Sequence, residues 1–190
     1  MINEALTFLE GELNTYLKAS FKINEDAVVV SSIAEFGGSA PLKNQNKIVL
    51  TLINIKQETL LRNNPSFKVI DKTSVQVNPA LYINLFVLFS ANFADYQESL
   101  KFISATISFF QGNYVFTKEK FNKLNPAIDP LILELDTTSY QDWSYLWGML
   151  GGKYLPSVIY KLRMITVQEN VTGEETPLIQ TIDTVVKRDN

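Results

Sequence analysis

The sequence predicts an α+β fold: a mixed or mostly antiparallel sheet with about three helices packed against it. Three observations lead there. The apolar pattern switches between helical and alternating periods, in the order helix, strands, helix, strands, helix, strands. No linker, internal repeat or low-complexity tract splits the chain. Its 190 residues, 46% apolar and 19% charged, suffice for one self-supporting core. The main domain is expected over residues 1–169, with 170–190 as a C-terminal hairpin strand or arm.

The chain opens on a helix, because Ile2, Ala5, Leu6, Leu9, Leu13, Tyr16 and Leu17 fall at spacings of three and four. Asn3, Glu4, Glu10, Asn14 and Lys18 make its other face, and Gly11 weakens it by about 1 kcal/mol relative to alanine. Ala27 to Ile33 is valine-rich and reads as a strand, followed by a turn or loop from Phe36 to Pro41. Lys47 to Lys56 is apolar on both faces, which places it inside the sheet. Thr59 to Val77 is polar and broken at Pro65, a long loop with room for a short edge strand at Lys68 to Ile70. From Leu81 to Ser90 apolar residues alternate cleanly, with Leu81, Ile83, Leu85, Val87 and Phe89 on one side.

Asp95 is placed to cap a second helix, with Glu98 in the capping-box position. Tyr96, Leu100, Ile103, Ile107 and Phe110 make its expected stripe, and Gly112 ends it. Short strands follow at Tyr114 to Phe116 and Leu131 to Asp136. Ser139, with Asp142, starts a third helix that Gly151-Gly152 stops. Ser157 to Gln168 is a long strand and Asn170 to Glu175 a turn. Thr176 to Val186 is either a last strand paired with the one before it or a loose arm.

Composition removes whole classes of chemistry. The chain has no cysteine and no histidine. Thiolate zinc sites, iron–sulfur clusters, disulfides, Ser–His–Asp triads and imidazole bases are therefore excluded. A net charge of −3 argues against a nucleic-acid partner. The N-terminus lacks a basic region followed by an apolar run, and the greasiest stretch, Leu81 to Phe93, is too short to span a membrane. Synthesis in the cytoplasm is expected.

The remaining candidates are few. Glu134 and Asp136 share one face of a strand and could serve acid–base chemistry or a metal, although a solvated strand face is the simpler account. Lys161 and Arg163, also two apart, could face them across the sheet. Gly37-Gly38-Ser39 lacks the spacing of a phosphate loop. Trp143 and Trp147 could form a stacking platform, yet with Leu146 and Leu150 they read as core. Asn170-Val171-Thr172 matches a glycosylation acceptor that needs a secretory route. Arg62 and Asn63 sit in a loop after a central strand, where the arginine could dock a partner's carboxylate or cap carbonyls of its own loop.

Several stretches, taken in order, carry a resemblance. Val49-Leu50-Thr51-Leu52-Ile53-Asn54-Ile55 is followed by Leu60-Leu61-Arg62-Asn63, then by Pro79 to Ala91. Leu146-Trp147 comes next, then Tyr154-Leu155-Pro156-Ser157-Val158-Ile159-Tyr160-Lys161-Leu162-Arg163-Met164. From the first helix to about Val167 the chain resembles the tail-terminator, or cap, family of extracellular contractile injection systems, such as the Photorhabdus virulence cassettes and the antifeeding prophage. The short C-terminal part departs from members that continue into a further domain. The resemblance implies a six-fold homo-oligomeric ring, a hexamer, on the distal end of the inner tube and sheath, where it stops polymerisation. It implies no cofactor and no reaction. Arg62, Asn63, Lys161 and Arg163 are then expected at assembly interfaces. The competing expectations are a tube-completion or adaptor protein of the same kind of particle, and a hydrolase using Glu134 and Asp136.

Overall fold

Burial of three phenylalanines decides how the second helix sits, and with it the arrangement of the main core. A computed structural model describes residues 1–34, 40–58, 67–70, 73–77, 81–128, 130–151, 153–167 and 172–177. Helix α1 spans Ile2–Phe21, α2 Tyr96–Gly112 and α3 Tyr140–Met149. The strands are β1 (Val28–Val30), β2 (Lys47–Gln57), β3 (Phe67–Ile70), β4 (Thr73–Val77), β5 (Leu81–Asn92), β6 (Val115–Phe116), β7 (Leu131–Leu135), β8 (Ser157–Val167) and β9 (Thr172–Pro177).

Six strands form one sheet in the order β1-β2-β5-β8-β7-β6. Only β1 and β2 run parallel in it, and every other pairing is antiparallel. The fold is thus α+β, with a mixed sheet and three α-helices among the described residues, as the sequence predicts. β3, β4 and β9 make a separate three-stranded antiparallel sheet.

Helices α1 and α2 cover one face of the large sheet. Leu9, Leu13 and Leu17 of α1 and Phe110 of α2 pack there with Ile48, Leu50, Val87, Phe89, Leu131 and Leu162. Phe110 meets the rings of Phe89 and Tyr160 at centroid distances of 5.0 and 4.9 Å. Helix α3 covers the middle of the opposite face, where Leu146 and Trp147 pack on Leu88, Ile159 and Ile33. Trp143 and Leu150 join that cluster, so the tryptophans are core and not a platform. Ser139 caps α3 through the amide of Asp142 at 3.2 Å, and Gly151 leaves it at φ 63, a conformation that favours glycine.

Several expectations need correction. In α2 the buried residues are Ser99, Phe102, Ile103, Thr106, Phe109 and Phe110, while Tyr96, Leu100 and Ile107 of the expected stripe are exposed. The helix carries apolar residues on more than one stripe. It turns Phe102, Phe109 and Phe110 inward because they remove the most surface from water. The capping-box arm is also redirected: Asp95 accepts from the Gln97 amide, but Glu98 pairs with Lys101 at 2.7 Å. Thr172–Pro177, expected in part as a turn, is strand β9, which pairs with β4, while residues 178–186 of the expected last strand or arm lie outside the described residues. A bulge in β2 between Leu52 and Asn54 reverses the side-chain parity, which leaves Ile55 opposite Leu85 and half exposed.

Asn14 is the largest departure in α1. It lies on the face expected to be solvated, yet it is buried. Its Oδ1 accepts from the amides of Ala27 (2.7 Å) and Val28 (2.9 Å), and its Nδ2 donates to the Val28 carbonyl (3.1 Å). One turn earlier, Glu10 accepts from the Val30 amide at 3.1 Å. The groups of Ala27 and Ser31 that face β2 bond to Ile48 and Leu50. Val28 and Val30 alternate with them and point off the sheet, so α1 side chains seal the β1 rim. The opposite rim, β6, is two residues long.

Candidate assembly surface

β8 lies between β5 and β7, which gives Lys161 and Arg163 neighbours on both sides and removes this strand as a free edge. Both residues project on the face that α3 covers, beyond its reach. In the register, Lys161 stands directly between Phe86 of β5 and Glu134 of β7. Arg163 stands opposite Ile132, yet its Nη1 reaches diagonally to Glu134 Oε1 at 2.7 Å. The cross-sheet offset of Glu134 expected from sequence is therefore made by Arg163. Glu134 and the nearby Glu58 both hold the guanidinium above its ordinary pKa, with the Glu134 hydrogen bond the main cause. Arg163 uses one nitrogen on Glu134, and its enclosed Nε has no partner among the described residues.

The surface continues across β5 and β2. Lys56 Nζ lies 5.0 Å from the centroid of Phe86, a cation–π distance. Asn84 donates to Glu58 at 3.1 Å. Lys56, Phe86, Lys161, Arg163 and Glu134 thus form an open, mixed-charge strip across four strands, anchored by one aromatic ring. Such a strip offers two lysines and a guanidinium to carboxylates, with the ring as an apolar footing.

Glu134 and Asp136 do not share a partner. Glu134 is held by Arg163, and Asp136 accepts from Thr138 Oγ1 at 2.6 Å. Each carboxylate has its own local partner, which is the solvated-face account. Among the described residues, no cluster of three acidic side chains is placed to hold a metal. None of the described helices is long and apolar enough to cross a membrane. Arg62 and Asn63 lie outside the described residues, as do Gly37, Gly38 and Ser39 and the first two residues of Asn170-Val171-Thr172.

At the other end of the same face, a cavity of about 300 Å³ is lined by Ile33, Val49, Ser90, Asn92, Lys153 and Asn44, among others. Asn44 is buried there, and its Oδ1 has no partner among the described residues. Sequence reasoning missed this feature. Asn44 sits in a polar turn, and nothing in its neighbours' pattern signals burial.

The Pvc16 N-terminal domain profile matches residues 4–181. This chain belongs to the Pvc16 N-terminal domain family. Its fold is similar to that of two proteins solved by cryo-electron microscopy. One is the PVC sheath/tube terminator of an extracellular contractile injection system in the extended state, at 14% identity and a TM-score of 0.69, covering 100% of this chain and 64% of that one. The other is the anti-feeding prophage cap, a tube-terminating cap, at 14% identity and a TM-score of 0.66, covering 97% of this chain and 60% of that one. The Pvc16-type chain described here therefore spans less than two thirds of either protein. At that identity the likeness is one of fold. No curated protein matches the sequence.

Proposed function

We propose that this chain is a tail terminator: a structural cap that binds the distal end of the inner tube and sheath of a contractile injection system and stops polymerisation. The observation that carries this reading is the family match over residues 4–181, together with a backbone that follows two terminating caps along nearly its whole length. On this reading the chain acts as a hexameric ring, does no covalent chemistry and needs no cofactor. It is made in the cytoplasm and ends as part of the particle.

Physical features support the role. A tube end presents unsatisfied subunit surfaces, and a cap must cover them without offering an equivalent surface for the next layer. The large sheet fits that need, since one rim is sealed by Asn14 and Glu10 and the other is short. The Lys56–Phe86–Lys161–Arg163 strip offers a docking surface of fixed chemistry.

Electron microscopy of particles carrying a labelled copy tests the assignment. Label at the end opposite the baseplate is expected, with tubes of uncontrolled length when the gene is deleted. Label at the baseplate end, or unchanged tube length in the deletion, contradicts a cap. Lys161→Glu with Arg163→Glu is expected to weaken attachment to tube and sheath while circular dichroism stays unchanged.

A further inference from the structure

Two exposed helix surfaces lie on opposite sides of the molecule, because α2 and α3 cover opposite faces of the large sheet. Helix α3 turns Leu146 and Trp147 inward, which leaves Tyr145, 61% exposed, and Met149, 79% exposed, on its outward face with Gln141 and Gly148. Its only charge, Asp142, accepts from the Ser139 hydroxyl at 2.7 Å. Tyrosine and methionine without free charges are the composition of an interface core. In α2, Tyr96, Leu100 and Ile107 recur at spacings of four and seven and form one bare ridge, between 39% and 63% exposed. Ser104, beside it, donates its hydroxyl to the Leu100 carbonyl at 2.7 Å and so adds no free donor. The other flank of α2 is covered by α1, where Phe102 and Phe109 meet Phe21 and Tyr16.

We propose that copies of this chain join head to tail, the outward face of α3 in one copy packing antiparallel against the Tyr96–Leu100–Ile107 ridge of α2 in the next. The proposal rests on the ring-forming cap reading above and names the surfaces that close the ring. Three features make a second copy the occupant. The surfaces match in length: α3 has 10 residues, about 15 Å, and Tyr96 to Ile107 rises about 16 Å. They match in character, since their charges, Asp142 and the Glu98–Lys101 pair, are already engaged and no free charge is stripped of water on packing. Charge at the helix ends sets the direction. Exposed Lys153 follows the end of α3 and exposed Asp95 caps the start of α2, so an antiparallel crossing brings them together and opposes the helix dipoles. Pairing either surface with its own kind is two-fold and leaves the other bare in both copies. α3 against α2 is heterologous, and it buries both surfaces in every copy once the ring closes.

Leu100→Glu and Met149→Glu each place a charge on one of the two surfaces, at exposed positions that leave the core untouched. In sedimentation velocity on the full chain, each variant alone is expected to stay monomeric about tenfold above the concentration at which the parent forms rings. An equimolar mixture holds one intact α3 surface and one intact α2 surface, so it is expected to form one-to-one dimers and nothing larger. Dimers from either variant alone indicate two-fold pairing and overturn the proposal. Rings from both variants, a mixture that stays monomeric, or a parent that is monomeric at all concentrations also overturn it. Rings from variants that still cap tubes leave the cap reading intact, which separates the two failures. A second measurement covers a variant that does not fold. The chain has no cysteine, and a Cβ at Gly148 meets no atom within 4 Å. Gly148→Cys with Ser104→Cys, treated with a short bismaleimide, is expected to give a ladder of covalent oligomers on a denaturing gel, with neither single variant giving one. No ladder from a double variant that assembles likewise overturns the pairing.

Discussion

Asn14 and Val28 exchange two hydrogen bonds, the Val28 amide donating to Asn14 Oδ1 at 2.9 Å and Asn14 Nδ2 donating to the Val28 carbonyl at 3.1 Å. The side chain thereby imitates a missing neighbour strand, and a third bond from the Ala27 amide completes the clamp. Asn14→Ala strands two amides and a carbonyl at a buried site, so a loss of about 3 kcal/mol is expected in urea unfolding. Asn14→Asp keeps the acceptor and loses the donor, yet places a charge in the core, and it is expected to be no milder. An Asn14→Ala variant as stable as the parent would mean that the clamp contributes nothing.

Gly11 offers a gain. It sits inside α1, and a Cβ built there meets no atom within 4 Å. Gly11→Ala is expected to stabilise the protein by roughly 1 kcal/mol through helix propensity alone. Calorimetry reads this as a higher Tm, and a lower one contradicts the open environment.

Trp147 distinguishes a core residue from a binding platform. It is buried on the sheet-facing side of α3 and meets Tyr154 edge-on at 5.6 Å. Trp147→Ala is expected to cost about 3–5 kcal/mol by leaving a cavity. A platform tryptophan would instead leave the unfolding midpoint almost unchanged.

Acid should weaken the pairing of Asp26 with Lys18, whose Nζ lies 2.8 Å away. The Lys18 hydrogen bond and charge hold the Asp26 carboxyl below its ordinary 3.8. A lowered folded pKa means that the stabilisation is present above 3.8 and is lost as pH falls through the folded value. The pair is exposed, so the contribution is small. Asp26→Asn is therefore expected to be slightly less stable than the parent near neutral pH and equal to it at about pH 2. A gap in urea midpoint that persists unchanged into acid rules this linkage out.

Most elements were legible because single residues punctuate them: Asp95 and Ser139 start helices, and the alternation of Leu81 to Phe89 marks the strand at the middle of the sheet. Legibility failed where distant parts decide. Which stripe of α2 turns inward depends on the aromatic partners Phe89, Phe93 and Tyr160, from other segments. Asn14 looked solvated because its partners, at Ala27 and Val28, come from the next element. At the candidate surface, the two-residue spacing of Lys161 and Arg163 correctly gave a shared face. The diagonal reach of Arg163 to Glu134 followed from register, which spacing alone does not encode. The partnership of β9 with β4 joins segments about a hundred residues apart and left no local trace.

The closure of the β1 rim bears on storage. On the proposed role, few copies are needed per particle, and each waits in solution until a tube reaches full length. A waiting protein with a bare rim would template fibres with its own kind. Saturating that rim with an amide and a carboxylate from α1 lets a reserve build up without this rim seeding aggregates.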